Sequence, residues 1–274
     1  TARSGMNNSC LSNKELCQSK VLNRCGAMKK ILLLLALGVG LPALAEDLYP
    51  DWDYEGYAGP EHWGNLTMDF ASCKNGKEQS PIDLTVAEEA KFSAPQLSYA
   101  AQPLQLTNTG HTLVEEVSSA PLHLSFGGQD YNLKQLHFHT PGEHQLNGKS
   151  FPMEVHFVHS DADGQLAIVG VFVQQGQTNV TLQQMLQKVP LLKGETVSDQ
   201  KAALDLAALL PKTKHFYHYM GSLTTPPCSE GVHWLVLANP IEASAEQLQQ
   251  LSQLMGQNAR PLQQLNARTL TLVR

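Results

Sequence analysis

Short runs in which apolar and polar residues alternate dominate the chain between residues 104 and 237. Alternation with a period of two is typical of a strand that buries one face, and glycine, proline, asparagine and aspartate bound the runs as turn residues. The runs predict strands at Leu104–Thr107, Thr112–Val117, Leu122–Phe126, Tyr131–His139, Glu154–His159, Leu166–Val173 and Val232–Leu237.

Apolar residues at helical spacing are confined to a few segments. We predict helices over Val180–Val189, Asp199–Leu209 and Ser244–Met255, the last with Ser244 as its N-cap. Many strands with few helices between them indicate a mainly β (α+β) fold, with a mostly antiparallel sheet and short peripheral helices. No repeat or linker divides residues 46–274, so we expect one domain there.

The composition permits one large core and gives the body of the chain a strong negative charge. The sequence has 274 residues, of which 42% are hydrophobic. Residues 46–274 carry 13 basic and 24 acidic side chains. Such an acidic body disfavours nucleic acid and anionic membrane surfaces as partners, so we expect neither.

The N-terminal region resembles an export signal. Met28-Lys29-Lys30 supplies a basic start, an apolar run follows, and Ala43-Leu44-Ala45 supplies small residues for cleavage before Glu46. A membrane anchor is the alternative, but the apolar run is far shorter than the roughly 20 residues that span a bilayer. We therefore predict a signal peptide at residues 28–45 and a periplasmic or secreted protein. Residues 1–27 are interpreted as an upstream extension that is not native.

Cleavage would leave only Cys73 and Cys228 in the exported protein. Two cysteines in an oxidising compartment predict one disulfide, with two free thiols as the alternative. Closing a loop of this length contributes on the order of 4 kcal/mol in the chain-entropy model.

Three histidines carry the clearest chemical signal. His137 and His139 are two apart on one predicted strand and so share a face, and His156 lies on the next predicted strand. A catalytic zinc takes three protein ligands and leaves the fourth position for water. The pattern therefore predicts a metal site.

Residues two positions before these histidines could hold the ligand rings in place. Gln135 precedes His137 and Glu154 precedes His156 on the same strand faces. Each could accept a hydrogen bond from the ring nitrogen that does not face the metal. The other histidines without such spacing are expected to be bystanders: His62, His123, His215, His218 and His233.

A second signal is the segment GSLTTPPCSEGVHW at residues 221–234. Pro226 and Pro227 exclude regular helix and fix the loop that carries Thr224 and Thr225. With GPEHWGNL at 59–66, QSPIDL at 79–84, NTGHTL at 108–113 and NARPLQ at 258–263, the chain resembles the α-class carbonic anhydrases, in a bacterial exported form. The resemblance extends from Trp52 to about Arg268 and implies a central twisted sheet of about ten strands.

This resemblance implies specific roles. His137, His139 and His156 match the ligands of one Zn²⁺ per chain. Thr224 matches a threonine that accepts a hydrogen bond from zinc-bound hydroxide, and Glu143 matches the carboxylate that accepts from that threonine. Thr225 matches a residue that contacts the substrate. The implied apolar wall for carbon dioxide comprises Val158, Ile168, Leu223, Val232 and Trp234.

The implied reaction is the reversible hydration of carbon dioxide to bicarbonate and a proton, by attack of the zinc-bound hydroxide. His111 matches the histidine that shuttles the proton to buffer, and Tyr54 matches a tyrosine in the water network beside it. The ordinary pKa of histidine, near 6.5, suits this task.

Three other functions stay open. The spacing of His137, His139 and Glu143 also resembles a cupin oxygenase or isomerase, with Glu143 as a direct ligand of iron or manganese, although Tyr131 and Ser160 depart from that motif. A non-catalytic binding protein on the same fold and a zinc esterase are the others. The sequence also leaves a homodimer open.

Overall fold

The computed structural model describes residues 51–90, 93–117, 122–213 and 215–273. The predicted extension, signal peptide and cleavage site lie outside the described residues. The described residues all belong to one compact unit, Asp47–Arg274. In this part of the chain, no helix is long and apolar enough to cross a membrane.

Strands make up most of the regular structure. In chain order they are β1 (Asp83–Leu84), β2 (Glu88–Glu89), β3 (Gln96–Ser98), β4 (Ala101–Asn108), β5 (Leu113–Glu116), β6 (His123–Phe126), β7 (Gln129–His139), β8 (Gln145–Leu146), β9 (Met153–Ser160), β10 (Leu166–Gln175), β11 (Thr196–Asp205), β12 (Phe216–Ser222), β13 (Glu230–Ala243) and β14 (Thr271–Val273).

The helices are few and short. They are α1 (Trp63–Leu66), α2 (Ser72–Asn75), α3 (Val180–Leu186) and α4 (Ala245–Met255), with 3₁₀ turns at Gly56–Ala58, Met68–Phe70 and Leu206–Leu209. Both longer helices have side-chain N-caps. Asn179 caps α3, and Ser244 caps α4 in a reciprocal capping box with Gln247.

Twelve strands of the described chain form one large sheet. Its order is β11-β4-β5-β7-β9-β10-β13-β12-β14-β2, with β6 also beside β7 and β3 beside β6. All neighbouring pairs are antiparallel except β10–β13 and β14–β2. The predicted fold class is confirmed, and each predicted strand overlaps an observed one.

The predicted helix over Asp199–Leu209 is wrong. Residues up to Asp205 belong to β11, which pairs with β4, and only Leu206–Leu209 form a 3₁₀ turn. Alanine and leucine give this segment helical propensity, but ladder hydrogen bonds to β4 and burial of Leu204 outweigh differences of a few tenths of a kcal/mol per residue.

Apolar clusters cover both faces of the sheet. Along β13, Leu235 belongs to the larger cluster, whereas Trp234 and Val236 belong to the smaller one. Because consecutive strand residues point to opposite faces, the two clusters lie on opposite sides of β13. The smaller cluster packs beside His156, whose ring centroid is 4.8 Å from that of Trp234.

The predicted disulfide between Cys73 and Cys228 is confirmed, with an S–S distance of 2.08 Å. It joins α2 to the loop that follows Thr224 across 155 residues of sequence. The bond therefore anchors one end of that loop to the N-terminal part of the described chain.

Candidate metal centre

The three histidines of the predicted metal site meet on two neighbouring strands. β7 and β9 are antiparallel, and their register places His137 directly opposite His156. His139 follows two residues later on the same face of β7. One ligand atom from each histidine lies within 4.8 Å of the others. The strand register therefore brings three imidazoles to one point.

Each of these rings is oriented by an acceptor at its other nitrogen. His137 Nδ1 lies 2.9 Å from Gln135 Oε1, and His156 Nε2 lies 2.9 Å from Glu154 Oε1. His139 Nδ1 lies 2.7 Å from the backbone carbonyl of Asn258. With these nitrogens donating, His137 and His139 present Nε2 and His156 presents Nδ1 as free lone pairs.

The donor set fits a zinc ion. His139 Nε2 is buried and has no hydrogen-bond partner among the described residues, so a ligand is needed to satisfy it. Burial lowers the pKa of all three imidazoles, to about 4 for His139, and keeps them neutral. Three neutral imidazoles with an open fourth position are the ligands of a catalytic zinc site.

Glu154 is fully buried and accepts four hydrogen bonds. Its Oε1 accepts from His156 and, at 2.8 Å, from His144 Nδ1; its Oε2 accepts from the backbone N–H groups of Glu143 and His144 at 2.9 and 2.8 Å. Burial raises the pKa of this carboxyl, but the two imidazoles outweigh that effect and hold the pKa well below its ordinary range. The ionised form is therefore the one that orients His156.

His144 was missed by sequence reasoning. It lies in the loop after β7, outside any alternating run. Its Nε2 is 2.7 Å from the Tyr219 hydroxyl, and that hydroxyl lies 2.8 Å from the Ser80 hydroxyl. Asn258 was missed as well, although its motif was noted, because it contacts His139 through a backbone carbonyl that no side-chain pattern reveals.

Glu143 lies beside the histidines without joining the group of candidate ligands. It is buried, and its Oε1 accepts from the Arg260 backbone N–H at 2.9 Å. Burial raises its pKa to about 7, against the opposing effects of His156, the Arg260 N–H and the Thr224 side chain. Its Oε2 is buried and has no hydrogen-bond partner within the described chain.

Thr224 and Thr225 lie on a tight loop between β12 and β13. The Cys228 backbone N–H donates to the Thr225 carbonyl at 2.9 Å, and Leu223 N–H donates to the Ser229 carbonyl at 3.0 Å. Cys228 has a left-handed φ of 56° and carries the disulfide. Backbone hydrogen bonds and the disulfide thus hold the two threonines in place.

The residues of the predicted apolar wall belong to one apolar cluster, which contacts His156 through Trp234. Ile168, Val232 and Trp234 are buried in the smaller apolar cluster, and Val158 and Leu223 pack against it. Trp234 Nε1 donates to the Ser222 carbonyl at 2.9 Å, which fixes the indole. A small nonpolar molecule would find no hydrogen-bond partner on this wall.

His111 lines a cavity of about 250 Å³ together with His137, His139 and Thr225. Its ring stacks on Trp52 with centroids 4.0 Å apart, and Tyr54 lies 6.2 Å away. Burial, and then the charge of Lys193, lower the pKa of His111. The stacking partner Trp52 was not anticipated, because 59 positions of sequence separate it from His111.

Comparisons with known proteins agree on one family. The family model described as eukaryotic-type carbonic anhydrase matches residues 58–274. A carbonic anhydrase of Pectobacterium carotovorum is 41% identical over 242 residues, covering 88% of this chain and 98% of that protein. One from Neisseria gonorrhoeae is 38% identical and covers 87% of this chain and 94% of its own length. The structure of Photobacterium profundum α-carbonic anhydrase aligns with a TM-score of 0.76 at 43% identity, over 82% of this chain and all of that one.

Proposed function

The chain belongs to the eukaryotic-type (α) carbonic anhydrase family and catalyses the reversible hydration of carbon dioxide, and we propose that it does so with one zinc ion held by His137, His139 and His156. The convergence of three neutral imidazoles, each held by an acceptor at its other nitrogen, carries this proposal. A bound zinc supplies Lewis acidity toward a water molecule at its fourth position, for which carbonic anhydrase is itself the standard example.

Thr224 and Glu143 are proposed to orient the nucleophile. An ionised Glu143 can only accept, so a Thr224 hydroxyl that donates to it can only accept a hydrogen bond from the attacking oxygen. The Arg260 N–H holds Glu143 in position, and the disulfide-anchored loop holds Thr224. This arrangement would aim a lone pair of the nucleophile at carbon.

Carbon dioxide is proposed to lie against the apolar wall that includes Val158 and Trp234. Desolvating a nonpolar gas costs little, whereas bicarbonate is charged and returns readily to water, which favours product release. Thr225, at the edge of the same cavity, is proposed to contact the substrate or bicarbonate.

His111 is proposed to carry the proton from the cavity to buffer. It lines the same cavity as His137 and, with Asp51 and Lys193, a second pocket, and its side chain is partly exposed. Tyr54, which also lines the cavity, is proposed to order the water chain between them. A lowered pKa makes His111 release its proton readily near neutral pH.

A stopped-flow carbon dioxide hydration assay, with metal analysis, tests the proposal. We expect one zinc per chain and activity that a chelator abolishes and added zinc restores. His137→Ala should lose both zinc and hydration activity. Iron or manganese in place of zinc would favour a cupin-like centre, and bound zinc without turnover would favour a binding protein; either result would overturn the proposal.

We also propose that the protein is exported and cleaved before Glu46. The disulfide is typical of proteins outside the cytoplasm. Mass spectrometry of the exported protein tests the cleavage site, and a mature protein that still contains residues 28–45 would contradict it.

A further inference from the structure

Two histidines that were expected to be bystanders lie side by side on the sheet. β12 and β13 are antiparallel, His218 lies opposite Leu235, and His233 lies opposite Met220. The two imidazoles are therefore diagonal neighbours on one face. Because strand residues alternate, this face is opposite the one that presents Trp234 to the candidate metal centre.

The two rings approach each other through nitrogen. His218 Nε2 lies 3.3 Å from His233 Nδ1, the ring planes differ by 21° and the ring centroids are 5.6 Å apart. At this separation one ring can donate an N–H···N hydrogen bond to the other, and the same separation also suits a shared metal ion. Two nitrogens that are each about 2.1 Å from one tetrahedral ion lie about 3.4 Å apart.

We propose that His218 and His233 form a second metal site, which binds one divalent transition-metal ion of the kind that prefers imidazole, such as Cu²⁺ or Zn²⁺, with water at the remaining positions. The two nitrogens face each other almost along the line between the ring centres. Rotation of the two side chains would direct both lone pairs at a shared ion.

Both imidazoles of the pair are in the neutral form. Burial and the neighbouring His233 lower the pKa of His218 to about 4, and burial also lowers the pKa of His233, so both rings are neutral near pH 7. Neutral imidazoles are the form that binds metal ions. The carboxylate of Asp161 partly offsets this effect, because its negative charge raises the pKa of His233.

Aromatic side chains fix the position of the pair. The Phe126 ring centroid lies 5.0 Å from that of His218 and 5.8 Å from that of His233, and Tyr131 lies 6.4 Å from His233. Both histidines are only partly buried, so an ion can enter from solvent. Among first-row divalent ions, Cu²⁺ binds nitrogen ligands most tightly and is therefore the best probe.

The test adds Cu²⁺ to the zinc-loaded protein and follows binding by calorimetry and electron paramagnetic resonance. We expect one Cu²⁺ per chain with hyperfine coupling to two nitrogens. His218→Gln and His233→Gln should each weaken binding at least tenfold and leave carbon dioxide hydration unchanged. His123→Gln, on β6 and also partly exposed, is the matched control and should bind Cu²⁺ like the unmodified protein.

Unchanged Cu²⁺ affinity in both glutamine variants, or no Cu²⁺ bound by the unmodified protein, would overturn the site and leave only a shared hydrogen bond. Circular dichroism shows whether each variant is folded. The result is independent of the proposed zinc centre, since His137→Ala should lose the catalytic zinc and still bind Cu²⁺ at His218 and His233.

Discussion

At the scale of single residues, the chemistry depends on what holds the second nitrogen of each histidine. Gln135, Glu154 and the Asn258 carbonyl each fix one ring, so the lone pairs toward the cavity are set before any metal arrives. Two of these acceptors were predicted from spacing along a strand. The third required the fold, because 119 residues separate His139 from Asn258.

Glu154→Gln should weaken zinc binding by about 10- to 100-fold, which is typical of losing a carboxylate behind a ligating histidine. The neutral amide cannot accept from both His144 and His156 with the strength of an anion. Competition with a chromogenic chelator measures the affinity, and Glu88→Gln, on the exposed strand β2, is the control. Equal zinc affinity in the two variants would contradict the positioning role of Glu154.

His111→Ala should lower turnover at least tenfold in weak buffer, because proton transfer out of the cavity then lacks a carrier. Added imidazole should restore the rate, since a small buffer can reach the same cavity. Stopped-flow hydration assays at several buffer concentrations measure both effects. Full turnover of the variant in weak buffer would reject the shuttle.

At the scale of elements, strand register and the disulfide position the site. One residue of slip between β7 and β9 would turn His156 to the other face of the sheet, away from His137. Burial on both faces of β9 opposes such a slip, since Val155 and Phe157 are fully buried on the face opposite His156. The loop with Thr224 is held by backbone hydrogen bonds and by the disulfide at Cys228.

Replacing both cysteines by serine should destabilise the protein by about 4 kcal/mol, because the unfolded chain regains the entropy of a long open loop. Activity should fall as well, since the Thr224 loop loses its anchor to α2. Urea unfolding and hydration assays under identical conditions measure the two effects. An unchanged unfolding midpoint would show that the disulfide adds no stability.

At the scale of the whole molecule, buried titratable groups outside the site make stability depend on pH. His159 is fully buried between β7 and β10, and its Nε2 lies 2.7 Å from the Tyr99 hydroxyl. Burial lowers its pKa from 6.5 to about 4. Glu115 acts in the opposite direction, since burial raises its pKa to about 7.

The sign of each effect follows from proton binding. His159 is protonated below pH 6.5 in the unfolded state but stays neutral in the folded state down to about pH 4. The free energy of unfolding therefore falls as pH decreases from 6.5 to about 4, by at most about 3 kcal/mol. In the folded state Glu115 keeps its proton over a pH range in which the unfolded state has already lost it. This group therefore lowers the free energy of unfolding as pH rises from about 4.5 to about 7.

Comparing His159→Gln with the unmodified protein isolates the histidine, because the Glu115 contribution cancels. The variant should be less stable at pH 7, through the altered contact with Tyr99, but should lose less additional stability between pH 6.5 and pH 5. Urea unfolding at each pH measures the difference. Parallel pH profiles for the two proteins would contradict the low pKa of His159.

The sequence by itself determined the strands with clear alternation, the shared face of His137 and His139, the acceptors Gln135 and Glu154, and the single cysteine pair. These features are local or follow from composition. They can be found from the alternation of apolar and polar residues and from the number of cysteines. Resemblance to a family added the roles of Thr224, Glu143 and His111, which spacing alone does not supply.

Only the tertiary structure decided that β11 is a strand, that Asn258 and His144 support the ligands, and that His218 faces His233. The physical reason is common to all of these. Each depends on which distant segment of the chain packs against the residue in question. For β11, pairing with β4 outweighs local helical propensity; for the other residues, the fold creates a contact that no local sequence pattern contains.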